Sequence, residues 1–413
     1  MKVKLILPSL AEAGSPLWRP IKYSLFPPIG LATLAGHFSE DDEVVLVDQH
    51  VEKLDLDDRP DLVLIQVYTT NAYRSYRIAD YYRLKGVHVA LGGIHVSAVP
   101  EEAASHADTI MIGPGDDTLP DFIRDFRMKA PRSRYYSRIR NLDIIPKVRR
   151  DLIKRGKYLV PNSLVVSRGC PHHCDFCYKD TFYQGGRSFY TRKIDAALEE
   201  IDSLPGRHLY FLDDHLFGDK TFARQLFMEL AGRNRVFQAA ATVQSVQYRT
   251  AVRKLHANGI MINGSFVFGM DDDDQSVFAR TVDWAVANGM ATSTFHIVTP
   301  YPGTPLFRQL QASNRITSLD WDSYTTREPV YEPIGMTKDE LRAGYAWAYD
   351  EFYCWKNIYN SSLQNTGVTN TIKQFMYAAG WKKFEPLWNL IINLQHLDAA
   401  TPLLEFVLAT VKA

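Results

Sequence analysis

The sequence predicts an α/β protein with an N-terminal doubly wound parallel sheet, a partial (β/α) barrel lacking one strand, and a C-terminal helical region. Three observations predict it. Short, continuous apolar runs alternate with amphipathic segments over residues 1–130, the pattern of parallel strands buried on both faces. The alternation resumes after residue 160, now with polar or charged groups at the end of each run. From Met336 onward the pattern is helical only and rich in aromatics.

Composition narrows the class. The chain has 413 residues, room for more than one domain. Lys plus Arg and Asp plus Glu both total 47, so charge gives no argument for nucleic acid. The opening Met1-Lys-Val-Lys-Leu-Ile-Leu-Pro8 is too short for a leader. No apolar run approaches the ~18 residues of a membrane span. Four cysteines, three of them clustered, do not form a disulfide framework. The expectation is a cytoplasmic protein with no transmembrane segment and no nucleic-acid partner.

In the first domain, residues 1–130, strands are expected at Val3–Ser9, Glu43–Asp48, Asp61–Tyr68, Val87–Gly93 and Thr109–Gly113. Helices are expected after Pro27-Pro28, after the capping Thr69-Thr70-Asn71, after Pro100 and from about Thr118. Ligands of such sheets bind outside the carboxyl ends of the strands. Those ends are small and polar here: Ser9, Thr69-Thr70-Asn71, Gly92-Gly93-Ile94-His95 and Gly113-Pro114-Gly115-Asp116. Residues 131–160 read as a linker, and the basic, aromatic run Arg132–Arg140 as a solvated strap within it.

Five strands are expected in residues 161–335, at 163–169, 208–214, 238–243, 262–269 and 293–299. Their tips carry Cys170, Asp213 with Asp214, Gln244, Asp271 and Thr299. Polar groups gathered at one end of a barrel read as a site. Asp213 and Asp214 read equally as a helix-capping pair. Residues 336–413 form the helical region. Thr337-Lys-Asp-Glu340 has capping-box form, and Tyr345, Tyr349 and Phe352 share one helix face, with Trp347 and Trp355 on a second. Aromatic stripes are usually packing; the alternatives are a wall for an apolar substrate or a contact with a membrane surface. Cys354, among these aromatics, reads as a small buried hydrophobe.

The chemistry concentrates in Cys170-Pro171-His172-His173-Cys174-Asp175-Phe176-Cys177. A structural zinc site wants four ligands, usually as two separated pairs, and would here need His172 or His173. An iron–sulfur cluster fits better: thiolates hold it, and with three of them one iron keeps an open position.

The C-x3-C-x2-C loop, with Phe176 before its last cysteine, resembles the signature of radical S-adenosylmethionine (SAM) enzymes. The resemblance implies a [4Fe–4S] cluster on Cys170, Cys174 and Cys177, SAM chelated to the fourth iron, and reductive cleavage to a 5′-deoxyadenosyl radical. It also implies a small-molecule substrate and a flavodoxin, ferredoxin or reductase as electron donor. Residues 1–130 resemble the cobalamin-binding domain that precedes many such barrels. By that resemblance Thr69, Thr70, Asn71, Gly92, Gly93, His95, Gly113 and Gly115 are cobalamin-site candidates. Phe176, Gln244, Asp271 and Thr299 are candidates at the SAM site, and Asp213 and Asp214 contact the SAM amino group or the substrate. The implied reaction is hydrogen abstraction from an unactivated carbon followed by methyl transfer. The alternatives are a rearrangement, dehydration or ring contraction without methylation, and a degenerate partner protein that binds cluster or corrin without turnover.

Two departures from the family pattern stand out. The Asp-x-His-x-x-Gly motif that supplies a lower cobalt ligand is absent after the first strand. Asp48-Gln49-His50 imitates half of it after the second, with Lys53 at the glycine position. Radical SAM barrels have six strands and only five are counted here. Just four residues, Gln244–Gln247, separate the third strand from the helix that begins at Tyr248.

Overall fold

The computed structural model describes residues 1–10, 25–184, 188–240 and 248–383. These divide into two compact units, one of Met1–Ala241 with Tyr301–Arg308, the other of Thr242–Pro300 with Gln309–Asn393.

The first unit opens with β1 (Lys2–Leu7), α1 (Ile29–Leu34), β2 (Glu43–Asp48), β3 (Leu62–Gln66), α2 (Ala72–Leu84) and β4 (His88–Gly92). The short helices α3 (Ile94–Ala98) and α4 (Pro100–Ala104) follow, then β5 (Thr109–Ile112), α5 (Gly115–Arg127) and β6 (Arg134–Tyr136). The six strands form one parallel sheet in the order β2-β1-β3-β4-β5-β6. Leu5, Leu64, Ala90 and Met111 pack with Leu31 of α1 and with Leu119 and Phe122 of α5. The alternate residues Ile6, Val63, Ile65 and Leu91 are equally buried. Both faces are therefore covered, which is why the strands read as unbroken apolar runs. The one buried cation of the sheet, Lys4, bonds to Asp58 (2.7 Å) and to the Tyr82 hydroxyl (2.9 Å).

The strap reading of Arg132–Arg140 misses a strand. Residues 134–136 extend the sheet, because Tyr135 inserts between α5 and β5. Its ring meets Phe122 edge-on at 5.6 Å, and its hydroxyl donates to Asp125 (2.9 Å). With one inward residue among basic neighbours, the run shows no strand periodicity. Helix α5 also begins at Gly115, earlier than Thr118, because Asp116 and Asp117 occupy its first turn, where acids favour the helix N-terminus.

The unit continues through β7 (Ser163–Leu164), β8 (Ser167–Gly169), α6 (Lys179–Phe182), β9 (Phe189–Thr191), α7 (Ile194–Ser203), β10 (His208–Phe211), α8 (Lys220–Leu230) and β11 (Val236–Ala239). The order β11-β10-β7 is parallel, with Leu164, Leu209 and Phe211 packed on α7 and α8. The single run expected at 163–169 is kinked into two: β8 leaves that sheet and pairs antiparallel with β9. Asp219 caps α8, accepting from Thr221 N and Phe222 N.

The second unit holds α9 (Tyr248–Ala257), β12 (Asn263–Phe268), α10 (Ser276–Ala287), β13 (Thr292–Ile297), the second half of α11 (Pro305–Ala312), α12 (Lys338–Phe352), α13 (Trp355–Ser362) and α14 (Val368–Lys382). Strands β12 and β13 pair in parallel. Thr337 and Glu340 form the expected capping box on α12. Tyr349 of that helix and Tyr353 at its C-cap hydrogen-bond the backbone of Phe295 and Ser293, which satisfies edge groups of β13. Helix α12 ends at Phe352, so Trp347 and Trp355 lie on two helices rather than on one face. Cys354 is half-exposed at the start of α13. Among the described residues, no helix is long and apolar enough to cross a membrane. The expected gap at Gln244–Gln247 and the C-terminal residues after Lys383 lie outside the described residues.

Truncating Tyr135→Ala is expected to destabilise the first unit by about 3–5 kcal/mol. Tyr135→Phe, which loses only the hydrogen bond, is expected to lose about 1 kcal/mol in chemical denaturation.

Candidate active site

The cysteine loop leaves the end of β8. Gly169 closes that strand at φ +76°, and a Cβ there would lie 1.8 Å from the Ser188 carbonyl oxygen, so only glycine fits. The same carbonyl accepts from Cys170 N (2.9 Å). Inside the loop, Cys177 N donates to the Cys174 carbonyl (3.0 Å). The Tyr301-Pro-Gly-Thr-Pro305 turn docks on it: Leu306 N donates to the Asp175 carbonyl (3.1 Å) and Thr181 Oγ1 to the Gly303 carbonyl (2.8 Å).

Two carboxylates at the end of β10 hold β8 in place. Asp213 is buried and accepts from Val166 N (3.2 Å), Ser167 N and Ser167 Oγ (2.5 Å). Asp214 accepts from Gly169 N (2.9 Å) and from the Tyr178 hydroxyl (2.9 Å). Neither caps the following helix, where Asp219 does that. Burial drives the Asp213 carboxyl up to about 6, against the downward pull of its three donors. Burial also pushes the Cys170 and Cys177 thiols up, opposed by the backbone N–H groups of His172 and Lys179. All three cysteines of the loop are free, with Cys174 exposed and the other two half-exposed.

This donor set fits an iron–sulfur cluster. Three accessible thiols stand on one pinned loop. Among the described residues, no three His, Cys, Asp or Glu side chains converge on a single metal position. A cubane places each thiolate on a different iron and asks for no such convergence. Phe176, beside Cys177, is half-buried.

A cavity of about 260 Å³ lies between the sheet and the residues that flank this loop. Gly92, Gly93, Gly113 and Gly115 at the strand ends line one side, and Arg168, Tyr178 and Asp214 line the other. Gly93 has φ +119°, and a Cβ there would come 2.7 Å from the Val67 carbonyl oxygen. Half-buried Arg168 and buried Asp116, both in its lining, form an ion pair. The second oxygen of Asp116, Oδ1, is buried without a hydrogen-bond partner. A cavity of this volume takes only part of a ligand as large as a corrin, but its buried unsatisfied acceptor suits an amide N–H donor such as a corrin side chain carries.

Other candidates are held differently. Asn71 is fully buried; its Nδ2 donates to the Pro8 carbonyl (2.9 Å) and its Oδ1 accepts from Tyr68 N (2.8 Å). Thr70 is half-buried in the same turn. Thr69 Oγ1 lies 3.3 Å from Nδ1 of buried His95, whose Nε2 is 3.2 Å from Glu102. His50 sits between Asp48 (2.8 Å) and Leu10 N (3.3 Å). Asp271 pairs through both oxygens with Arg315, and Thr299 donates to the Ile297 carbonyl (3.1 Å). Both belong to the second unit. Gln244 lies outside the described residues. Sequence reading missed Arg168 and Tyr178, although both flank the cysteine motif.

Residues 23–123 match the B12-binding domain family. The chain is 27% identical to the bacteriochlorophyllide d C-12(1)-methyltransferase of Chlorobaculum tepidum, over 71% of this chain and 75% of the relative. It is also 27% identical to the bacteriochlorophyllide d C-8(2)-methyltransferase of the same organism, over 83% and 90%. To the anaerobic magnesium-protoporphyrin IX monomethyl ester cyclase of Cereibacter sphaeroides it is 23% identical, over 55% and 45%. By these matches the chain is similar to the cobalamin-binding radical SAM enzymes. Its relatives make it an enzyme, and the B12-binding match covers four of the six strands of the parallel sheet, β2 to β5.

Because its folded-state value is raised, Asp213 adds stability below pH ~4, where it is protonated in both states, and loses it as pH rises through about 6. The stability difference between wild type and Asp213→Asn is therefore expected to shrink between pH 4 and pH 7, as read by denaturant titrations at each pH. Asp213→Ala, which leaves buried donors unpaired, is expected to lose at least about 2 kcal/mol.

Proposed function

We propose that this chain is a cobalamin-dependent radical SAM C-methyltransferase acting on an apolar, planar substrate. The observation that carries the reading is the single cavity lined both by the strand ends of the B12-binding sheet and by residues flanking the cysteine triplet. In this reading residues 1–130 form the cobalamin domain, 131–160 the connection, 161–335 the SAM domain and 336–413 a helical region. Cys170, Cys174 and Cys177 would hold a [4Fe–4S] cluster. Gly92, Gly93, Gly113 and Gly115 would let a corrin approach the backbone, with Asp116 Oδ1 accepting from it. Asp214, fixed by Gly169 N and Tyr178, would accept from the SAM amino group. Asp213 holds the strand that presents the loop.

When bound, these cofactors supply a 5′-deoxyadenosyl radical, by reductive cleavage of SAM, and a transferable methyl group. An unactivated C–H bond has no acidity for a general base to exploit, so the side chains position and shield. The two methyltransferase relatives act, by their names, on a bacteriochlorophyllide, which supports a tetrapyrrole-like substrate. The cyclase relative supports a second reading, radical ring closure without methylation. A flavodoxin, ferredoxin or reductase would deliver the electron, in a reducing compartment such as the cytoplasm.

Anaerobically purified protein with reconstituted cluster and added cobalamin is expected to hold about four iron and four sulfide per chain. Reduced with SAM, it is expected to release 5′-deoxyadenosine, and Cys170→Ala, Cys174→Ala and Cys177→Ala are expected to abolish that release. Methyl-labelled SAM with a tetrapyrrole substrate separates the readings: label in the product supports methyl transfer, and unlabelled turnover favours the cyclase-like reaction. An intact cluster with no 5′-deoxyadenosine would sink both.

A further inference from the structure

Helices α13 and α14 carry apolar side chains on the outside. On α13 and its C-cap, Trp355, Tyr359 and Leu363 recur every fourth residue, and on α14 so do Val368, Ile372 and Met376. A buried position in such a pattern would be core. Here all six are exposed, from 50% at Leu363 to 77% at Val368. The inner faces are closed separately. Gln374 Nε2 donates to the carbonyls of Ser361 (3.2 Å) and Gly289 (3.1 Å), and Ile358, Ala378 and Ala379 are buried. Trp355 lies against Phe375 with ring centres 6.1 Å apart, which joins the two outer stripes into one surface.

Along these two helices the charge is of one sign, although Glu351, just before them, accepts from Asn357 Nδ2 of α13 (2.9 Å). From Phe352 to Lys383 the chain has four lysines (356, 373, 382 and 383) and no Asp, Glu or Arg, although the whole chain balances 47 against 47. Lys356 and Lys383 are exposed, and Lys383 Nζ lies 5.5 Å from the Trp355 ring centre. We propose that this face of the α13–α14 pair docks on an anionic membrane surface. Aromatic and aliphatic side chains entering the headgroup boundary, flanked by lysines that reach the phosphates, are the chemistry of an interfacial helix. Among the described residues no helix can span the bilayer, so the contact is one of lying on it. A two-fold copy of the chain is a poorer occupant, because a self-complementary contact would set these lysines against each other.

The test uses the full-length protein with vesicles of phosphatidylcholine alone or mixed with phosphatidylglycerol. Co-sedimentation is expected with the mixed vesicles, weakly with the neutral ones, and is expected to fall with added salt. Lys356→Glu and Lys383→Glu should each lower affinity about fivefold or more. Ile372→Ser with Met376→Ser should lower it on the order of tenfold. Tryptophan emission should shift to the blue on mixed vesicles, and less so in Trp355→Phe. Circular dichroism checks the fold of each variant, and the lysine variants test the idea even if the serine pair misfolds. The proposal is overturned if the protein stays in the supernatant with anionic vesicles, or if binding is indifferent to these substitutions. A dimer in light scattering that the serine pair disperses would likewise overturn it, by assigning the face to a second copy.

Discussion

The candidate site depends on two adjacent carboxylates gripping a strand that has left its sheet. Once β8 turns away from β7 to pair with β9, the N–H groups of Val166, Ser167 and Gly169 need acceptors outside that ladder. Asp213 takes those of Val166 and Ser167, and Asp214 takes that of Gly169. A buried unpaired N–H is expensive, so these carboxylates make the kink affordable and aim Cys170 outward. The antiparallel pairing with β9 and the close approach of Gly169 to Ser188 fix the other side. The loop that carries the cysteines is thus held by elements on both sides of it in sequence, and by the Tyr301–Pro305 turn from much further along the chain.

The same kink brings Arg168 to the sheet. A strand continuing straight from β7 would present it elsewhere; turned, it reaches Asp116 at the start of α5. That pair, buried on its Asp116 side, lines the cavity together with the glycine-rich strand ends and Tyr178, the residue after the cysteine motif. Breaking a buried pair leaves an uncompensated charge, which makes this contact specific as well as cohesive. The glycines of the strand ends answer to close packing: a Cβ would meet the Val67 carbonyl oxygen at Gly93 (2.7 Å), Ser137 Cβ at Gly113 (3.0 Å) and Leu34 at Gly115 (3.0 Å).

Aromatic residues of the second unit divide by what they touch. Tyr349 and Tyr353 turn their hydroxyls to the edge of β13, and Phe352 packs beside Phe295. These are structural. Trp355 and Tyr359 face outward among lysines, so the same residue types on neighbouring helices do different work. Burial separates the two groups, and periodicity does not.

The sequence by itself determined the parallel sheet, its order of strands and helices along the chain, and the three cysteines on a strand-end loop. Those features follow from local regularities: unbroken apolar runs, caps and a short spacing motif. The third dimension decided what has no local signature. Tyr135 adds a strand through one inward ring. Asn71, carried over as a cofactor contact, turns inward to the Pro8 carbonyl. The reading of Asp213 and Asp214 as a pair that caps the next helix gives way to one in which they secure a strand more than forty residues earlier. Hydrogen bonds and ion pairs between residues far apart in the chain depend on how segments pack, and no periodicity in either segment records its partner.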